Sequence, residues 1–179
     1  MQLTSKQILG ALQVLTWIAF IGLCIETGAI LITTSISLFF HPEAAADLYL
    51  GLDLSALLHY SRWYYVQVTS LIIALYALKA YMVFHLIQIL QQINLVHPFS
   101  QTIAHLISRL SRIAIGTAVL SFIANGTVDW LQKHVVELPN LNEHIGDGAA
   151  YLFFAGIVYI LAQVFNRGME IQSENELTV

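Results

Sequence analysis

Charged residues are scarce in this chain of 179 residues. Only 10% are Asp, Glu, Lys or Arg and 58% are hydrophobic, whereas an ordinary soluble domain has about 25% charged residues. A soluble fold of this size cannot bury that much apolar surface, but a bilayer accommodates it. The seven Lys and Arg residues are scattered and the net charge is -4, so the chain lacks the basic footprint of a protein that binds nucleic acid directly.

Cysteine, proline and enzyme motifs are scarce as well. The single cysteine, Cys24, has no partner for an intrachain disulfide. The prolines, Pro42, Pro98 and Pro139, fall between the long apolar runs, as expected for a residue that disrupts helices. The sequence has no Gly-rich phosphate loop, no His-Glu-x-x-His, no nucleophile elbow and no Cys-x-x-Cys. We therefore expect a protein that is not an enzyme and that holds no cofactor and no metal.

Four long apolar runs predict an all-α membrane protein, a single domain built as a bundle of four transmembrane helices. About 20 apolar residues cross the hydrocarbon core; the first two runs exceed that length and the last two are near its lower limit. The predicted spans are about 8–38, 63–91, 103–130 and 149–167. They leave outer loops at about 39–62 and 131–148, an inner loop at about 92–102 and a tail at 168–179.

The distribution of basic residues predicts that both termini are cytoplasmic. Basic residues flanking the spans favour the cytoplasmic side of the membrane. With the N-terminus inside, two basic residues, Arg62 and Lys133, are outside. Four are then inside, namely Lys6, Arg109, Arg112 and Arg167.

The two outer loops contain segments that favour extended structure. Leucine occupies every second position from Leu48 to Leu54, which is the period of a strand. The second loop carries the β-prone segment from His134 to Leu138. We expect these segments to pair as a small two-stranded extracytoplasmic ribbon, and a flat amphipathic helix at the membrane interface is the alternative.

Two ionisable residues lie inside the predicted spans. Glu26 and Lys79 are about 24 Å and about 14 Å from the inner boundary if helices rise 1.5 Å per residue. Intramembrane charges normally face the bundle interior and have partners. Asn125 and Asp129 are alternative neighbours for Glu26. The candidates form either a polar cluster that fixes helix register or a proton- or ligand-coupled switch; a third possibility is a lipid-facing Lys79.

Seven histidines raise the question of a metal or haem site. The outer-loop histidines His41, His59, His134 and His144 show no tight ligand spacing such as His-x-x-x-His, so scattered loop histidines are favoured over zinc ligands. His85 and His105 flank the inner turn, as two axial haem ligands would. Haem also needs a cavity between helices, which the sequence does not indicate.

Two short segments of the chain resemble a known family. The turn from His97 through Pro98 and Phe99 to Ser100 resembles an Asn-Pro-Phe-Thr turn, with Ser100 suited to cap the third helix. The tail from Gly168 to Val179 resembles the closing signature of the same family, the bacterial membrane proteins of domain-of-unknown-function family 2975. The resemblance implies four spans, no known catalysis, and a small helix-turn-helix regulator as partner.

These observations favour a non-enzymatic protein of the bacterial inner membrane that binds a partner at its cytoplasmic face. The partner would contact the turn at His97, Pro98 and Phe99 and an acidic tail. The tail acids are Glu170, Glu174 and Glu176. The alternative function is a small transport or ligand- or ion-sensing unit that uses Glu26 and Lys79. The oligomeric state stays open.

Overall fold

The structure, a computed structural model, describes residues 5–93, 99–134 and 138–176. Within these ranges it is helical and contains no strand. Four of the helices are long and apolar enough to cross a membrane, so the predicted all-α bundle of four transmembrane helices is confirmed. In chain order the elements are α1 (Ser5–Phe39), a 3-10 turn (Pro42–Ala46), α2 (Ser55–Tyr60), α3 (Arg62–Gln92), α4 (Gln101–His134), α5 (Asn142–Ile145) and α6 (Gly148–Glu176).

The four long helices pack in series. Helix α1 packs against α3, α3 against α4 and α4 against α6, whereas within the described ranges no backbone contact joins α1 to α4 or α6. Both end helices leave large apolar side chains uncovered, such as Ile18, which is 63% exposed, and Phe153, which is 73% exposed. Such continuous exposed apolar surface would be a liability in water and suits contact with lipid.

The bundle has two ends that differ in construction. The loop end carries the 3-10 turn, α2 and α5, and the terminal end is where α1 begins, α3 leads into α4, and α6 ends. One apolar core lies toward the loop end around Tyr65 and Ile72 of α3. A second core joins α3, α4 and α6 around Ile107 and Ala155. Small residues such as Ala155 let α4 and α6 approach closely.

The predicted strand at Leu48–Leu54 is wrong. Leu48, Leu52 and Leu54 are buried, but Leu50 is 80% exposed, because the chain reverses at this point. Leu50 and Gly51 both have positive φ, and the Leu48 amide donates to the Leu52 carbonyl at 2.9 Å. The leucine alternation thus produces a compact turn whose leucines cover the core, not a ribbon or a flat helix.

The other half of the expected ribbon differs as well where it can be seen. His134 is the last residue of α4, and residues 135–137 are outside the described ranges.

The predicted cap of α4 is confirmed, because the Ile103 amide donates to Ser100 Oγ at 3.3 Å. That bond satisfies one of the free amides of the first helical turn.

Candidate functional site

Lys79 is held in the middle of α3 by a contact with a distant segment. Its Nζ donates a 2.8 Å hydrogen bond to the carbonyl oxygen of His144 in α5. The ammonium also lies 4.6 Å from the centre of the Tyr76 ring, a distance at which the π-face attracts a cation. Tyr76 Oη lies 3.0 Å from His144 Nδ1. Lys79, Tyr76 and His144 therefore form one connected group.

Glu26 of α1 faces this group. The register of α1 against α3 is set by Gln13 Nε2, which donates to Leu90 O at 2.8 Å, and by Ser37 Oγ, 2.6 Å from Tyr65 Oη. Between these two contacts, Glu26 lies at the level of Tyr76. Along the helix axis it is about one turn, roughly 5 Å, from the level of Lys79. The depths estimated from the sequence, about 24 Å and about 14 Å, suggested a larger separation of Glu26 and Lys79 along the bundle. Those depths were counted along each helix separately, without the register between α1 and α3.

Glu26 lies near Lys79 but does not form a direct ion pair with it. Glu26 is close enough to act electrostatically on Lys79 and on Tyr76. The ion pair between Arg167 and Glu170 lies elsewhere, at the start of the tail. We call Glu26, Tyr76, Lys79 and His144 the polar centre.

The segment that carries His144 enters the bundle from the loop end. Ser121 Oγ donates to the Gly146 carbonyl at 2.7 Å, and Asn125 Nδ2 donates to the same oxygen at 3.1 Å. Ser121 lies 13 residues before the end of α4 at His134, about 20 Å along the helix. Non-helical backbone is tolerated at such depth only where its polar groups have partners, and here side chains of α3 and α4 supply them.

The structure brings together three of the four intramembrane polar residues named from the sequence. Glu26 and Lys79 meet at the polar centre, and Asn125 anchors the segment that completes it. Asp129 does not join them, because it is exposed on α4 and makes none of these contacts. Sequence reasoning missed Tyr76 and Ser121. The glycines at 146 and 148 that precede the last span were the signal for an irregular backbone entering the bundle.

An apolar cavity of about 460 Å³ adjoins the polar centre. It lies between α1 and α6, whose backbones do not approach each other within the described ranges, so it is open at the side of the bundle. Lys79 is the one charged residue in its lining. We call this cavity the groove, and it is lined by Leu23, Lys79, Met82, Val83, Leu86, Leu110, Ala150, Tyr151 and Phe154.

At the terminal end, the inner turn packs on α6. The Phe99 ring lies 5.3 Å from the Phe165 ring, and a Cβ added at Gly168 would come within 2.5 Å of the Phe99 ring. His97 and Pro98 are outside the described residues. The turn is thus tied to the start of the tail through Phe99.

The tail acids are not equivalent. Glu170 forms an ion pair with Arg167, and Glu174 is exposed. Glu176 is the last described residue of α6, and its side chain is outside the description. As far as Glu176, the tail is a direct helical continuation of α6, so its position follows that of the helix.

The histidines that the structure describes do not converge on a metal site. His41, His59 and His134 are exposed, and in the described part of the chain no three His, Cys, Asp or Glu side chains lie close enough to hold one. His85 is 2% exposed and its Nδ1 donates to the Tyr81 carbonyl at 3.1 Å. His105 is exposed on α4, so the two are not matched axial ligands.

Four membrane-crossing helices, an intramembrane polar centre and a side-opening groove define a multi-pass integral membrane protein. A family model described as "Protein of unknown function (DUF2975)" matches residues 41–179. The chain therefore belongs to this family, and the resemblance noted from the sequence is confirmed. Comparison with curated proteins and with solved structures gave no match.

Proposed function

We propose that this protein is a non-enzymatic sensor of the bacterial inner membrane. An amphiphilic molecule from the bilayer enters the groove with its apolar chain, and its polar head competes for Lys79. The resulting change passes along α6 to the tail, where a cytoplasmic partner responds. The observation that carries the proposal is the hydrogen bond from Lys79 to His144, since it couples the groove to the segment that starts α6.

The chemistry of the groove supports an amphiphile as its occupant. Its volume of about 460 Å³ falls in the range of about 300–1,000 Å³ that is usual for small-molecule sites. The lining is apolar apart from the polar ends of Lys79 and Tyr151, which matches a molecule with an apolar body and one polar end. Because the groove opens between α1 and α6 at membrane depth, the bilayer is its source of ligands.

The position of Lys79 supports a switch. The Lys79 ammonium donates a hydrogen bond to the His144 carbonyl. A ligand that accepted this hydrogen bond in its place would release His144. Tyr151 of α6 lines the same groove, so an occupant of the groove contacts α6 directly, and α6 continues into the tail. Only Gly146 and Asp147 separate α5 from the start of α6 at Gly148, which leaves little chain to absorb a movement.

The cytoplasmic partner proposed for this chain is a small helix-turn-helix regulator. The tail carries three acids, Glu170, Glu174 and Glu176, beside the single base Arg167, and this net negative charge complements a basic DNA-binding surface. The Phe99 contact with Phe165 links the inner turn to α6, so the turn and the tail would present one composite surface. This assignment requires the terminal end to be cytoplasmic, which the basic residues favour.

The groove is tested by filling it. Ala150→Trp adds a large ring to a groove-lining position, and Ala149→Trp places the same ring one residue earlier, outside the lining. We expect the purified wild-type protein and the Ala149→Trp control to retain a bound amphiphile that mass spectrometry identifies, and Ala150→Trp to lose it. Equal retention by all three would overturn the groove as the ligand site.

The output is tested by a pull-down from native membranes. The full chain should capture a specific cytoplasmic partner, and a chain truncated after Arg167 should not. Ala150→Trp should change the amount of partner captured, because occupancy sets the position of α6. Capture by the truncated chain at the wild-type level would exclude the tail as the binding surface.

A second function, ion or substrate transport, is favoured by the presence of two ionisable residues, Glu26 and Lys79, at neighbouring levels inside the bundle. Flux in liposomes that disappears on Glu26→Gln would support it. Absence of flux together with a bound amphiphile would favour the sensor.

A further inference from the structure

A polar cleft lies between α4 and α6 at the terminal end, apart from the groove. Its volume is about 680 Å³. The α4 side is formed by residues spaced 4, 3 and 4 apart, which places them on one helix face. The polar residues of the lining are Gln101, His105, Ser108, Arg112, Gln163, Asn166 and Glu170.

This cleft is not explained by helix packing alone. Elsewhere α4 and α6 meet through buried small and apolar residues such as Ala114 and Ala155, as expected when packing drives helix association in lipid. Here polar side chains stand on both facing surfaces beside Ala104 and Met169, and the surfaces leave a cavity between them. A second cavity of about 390 Å³ shares Gln101 and His105 with the first and is also lined by Arg109, and we call the two cavities together the cleft.

The cleft has an uncompensated positive charge. Neither Arg109 nor Arg112 forms an ion pair in the described part of the chain. The one acid in the lining, Glu170, is already paired with Arg167. The guanidinium groups, together with the hydroxyl of Ser108 and the amide of Gln163, offer hydrogen-bond donors to an acceptor with several oxygens.

The depth of the cleft indicates where its ligand comes from. Ser111 Oγ donates to Ala155 O at 3.0 Å, which fixes the register of the two helices. The apolar run of α4 from Ile113 to Val128 spans about 24 Å, and Arg112 and Arg109 lie just before it, toward the terminal end. The polar lining therefore lies where the hydrocarbon ends, at the level of lipid headgroups.

We infer that this cleft binds the phosphate group of an anionic phospholipid. Arg109 and Arg112 contact the phosphate, and the acyl chains run along the exposed faces of α4 and α6. Basic pockets between transmembrane helices are suited to anionic headgroups for this reason. The site is independent of the groove, so its failure leaves the proposed sensor function untouched.

The inference is tested by titrating the purified full chain in neutral detergent with phosphatidylglycerol, with phosphatidylcholine and with inorganic phosphate, read by native mass spectrometry. We expect a preference for phosphatidylglycerol. The double variant Arg109→Gln/Arg112→Gln should weaken its binding by about tenfold or more, the size of one or two charge-assisted contacts. The control Lys133→Gln removes a charge at the other end of the bundle and should bind like the wild type.

A second variant keeps the test decisive if the double variant does not fold. Gln163→Glu leaves both arginines in place at an exposed position and adds a negative charge to the cleft, so it should also weaken binding. Equal binding of the two lipids, or binding unchanged in Gln163→Glu, would overturn the inference. Competition by inorganic phosphate at the concentrations at which the lipid binds would assign the cleft to a free anion instead.

Discussion

Lys79 and His144 are 65 residues apart in the chain, yet a 2.8 Å hydrogen bond joins the side chain of one to the backbone of the other. The bond fixes a non-helical segment inside a bundle of membrane-crossing helices. It also places the ammonium over Tyr76 and near Glu26. Any change that affects Lys79 therefore reaches α1, α3 and the start of α6 together.

Lys79→Met should lower the free energy of unfolding by about 1–3 kcal/mol, the usual cost of leaving a buried hydrogen-bonding group without its partner. The His144 carbonyl loses its donor and Glu26 loses a compensating charge. The measurement is thermal or denaturant unfolding in a mild detergent. Lys133→Met, at an exposed position, should stay within about 0.5 kcal/mol of the wild type.

A double-mutant cycle measures the coupling of Glu26 to Lys79. Glu26→Gln in the Lys79→Met background should cost less than in the wild type, with an interaction energy of at least about 0.5 kcal/mol. Strict additivity would contradict the electrostatic contact. If both single variants kept full folding and full partner binding, the polar centre would neither fix helix register nor act as a switch.

The two donors to Gly146 should be partly redundant. Ser121→Ala alone leaves Asn125 on the same carbonyl, and Asn125→Ala alone leaves Ser121. Each single variant should lower the free energy of unfolding by less than about 1 kcal/mol, and the double variant by about 1–3 kcal/mol, because only then is the carbonyl unsatisfied. Equal effects of the single and double variants would show that the carbonyl has another donor.

Gly146→Ala should be destabilising for two reasons. Gly146 has φ 80° and ψ 172°, a conformation that is essentially restricted to glycine and costs about 1–3 kcal/mol for other residues. A Cβ there would also come within 2.9 Å of Tyr151 Oη. In Gly126→Ala, a matched control within α4, the Cβ meets nothing within 4 Å, so that variant should be neutral or stabilising by up to about 1 kcal/mol.

Composition and the spacing of charged residues sufficed to predict the four helices. A helix that crosses the hydrocarbon core needs about 20 consecutive apolar residues, and such a run is visible within one segment of the sequence. The turn at Leu50 was not predictable in the same way: alternation of leucine is compatible with a strand, and only the positive φ at Leu50 and Gly51 distinguishes the turn. Glu26 and Lys79 were identifiable as isolated charges. Their proximity depends on the register set by Gln13 with Leu90, a relation between distant residues.

Asp53 makes the loop end sensitive to acid. The pKa of Asp53 lies below its ordinary value because the Ser55 hydroxyl and amide both donate to its carboxylate. A lowered folded-state pKa contributes stability above the unfolded value of about 3.9, and that contribution is lost as the pH falls through the folded value. Asp53→Ala should therefore be less stable than the wild type at pH 7, with a difference that shrinks toward pH 3. Unfolding measured across this range checks it, and a constant difference would contradict it.

Gly168→Ala should separate the inner turn from α6. A Cβ at Gly168 would lie within 2.5 Å of the Phe99 ring, so the ring must move off Phe165, and an aromatic pair of this kind contributes about 0.5–1.5 kcal/mol. Amides at the start of α4, near Ser100, should then exchange with deuterium roughly two- to tenfold faster. Gly156→Ala lies in the same helix, and its Cβ meets nothing within 4 Å, so exchange there should be unchanged. If Gly168→Ala left exchange unaltered but reduced partner capture, the partner would contact Gly168 itself; if it altered neither, the link between turn and tail would have no role in binding.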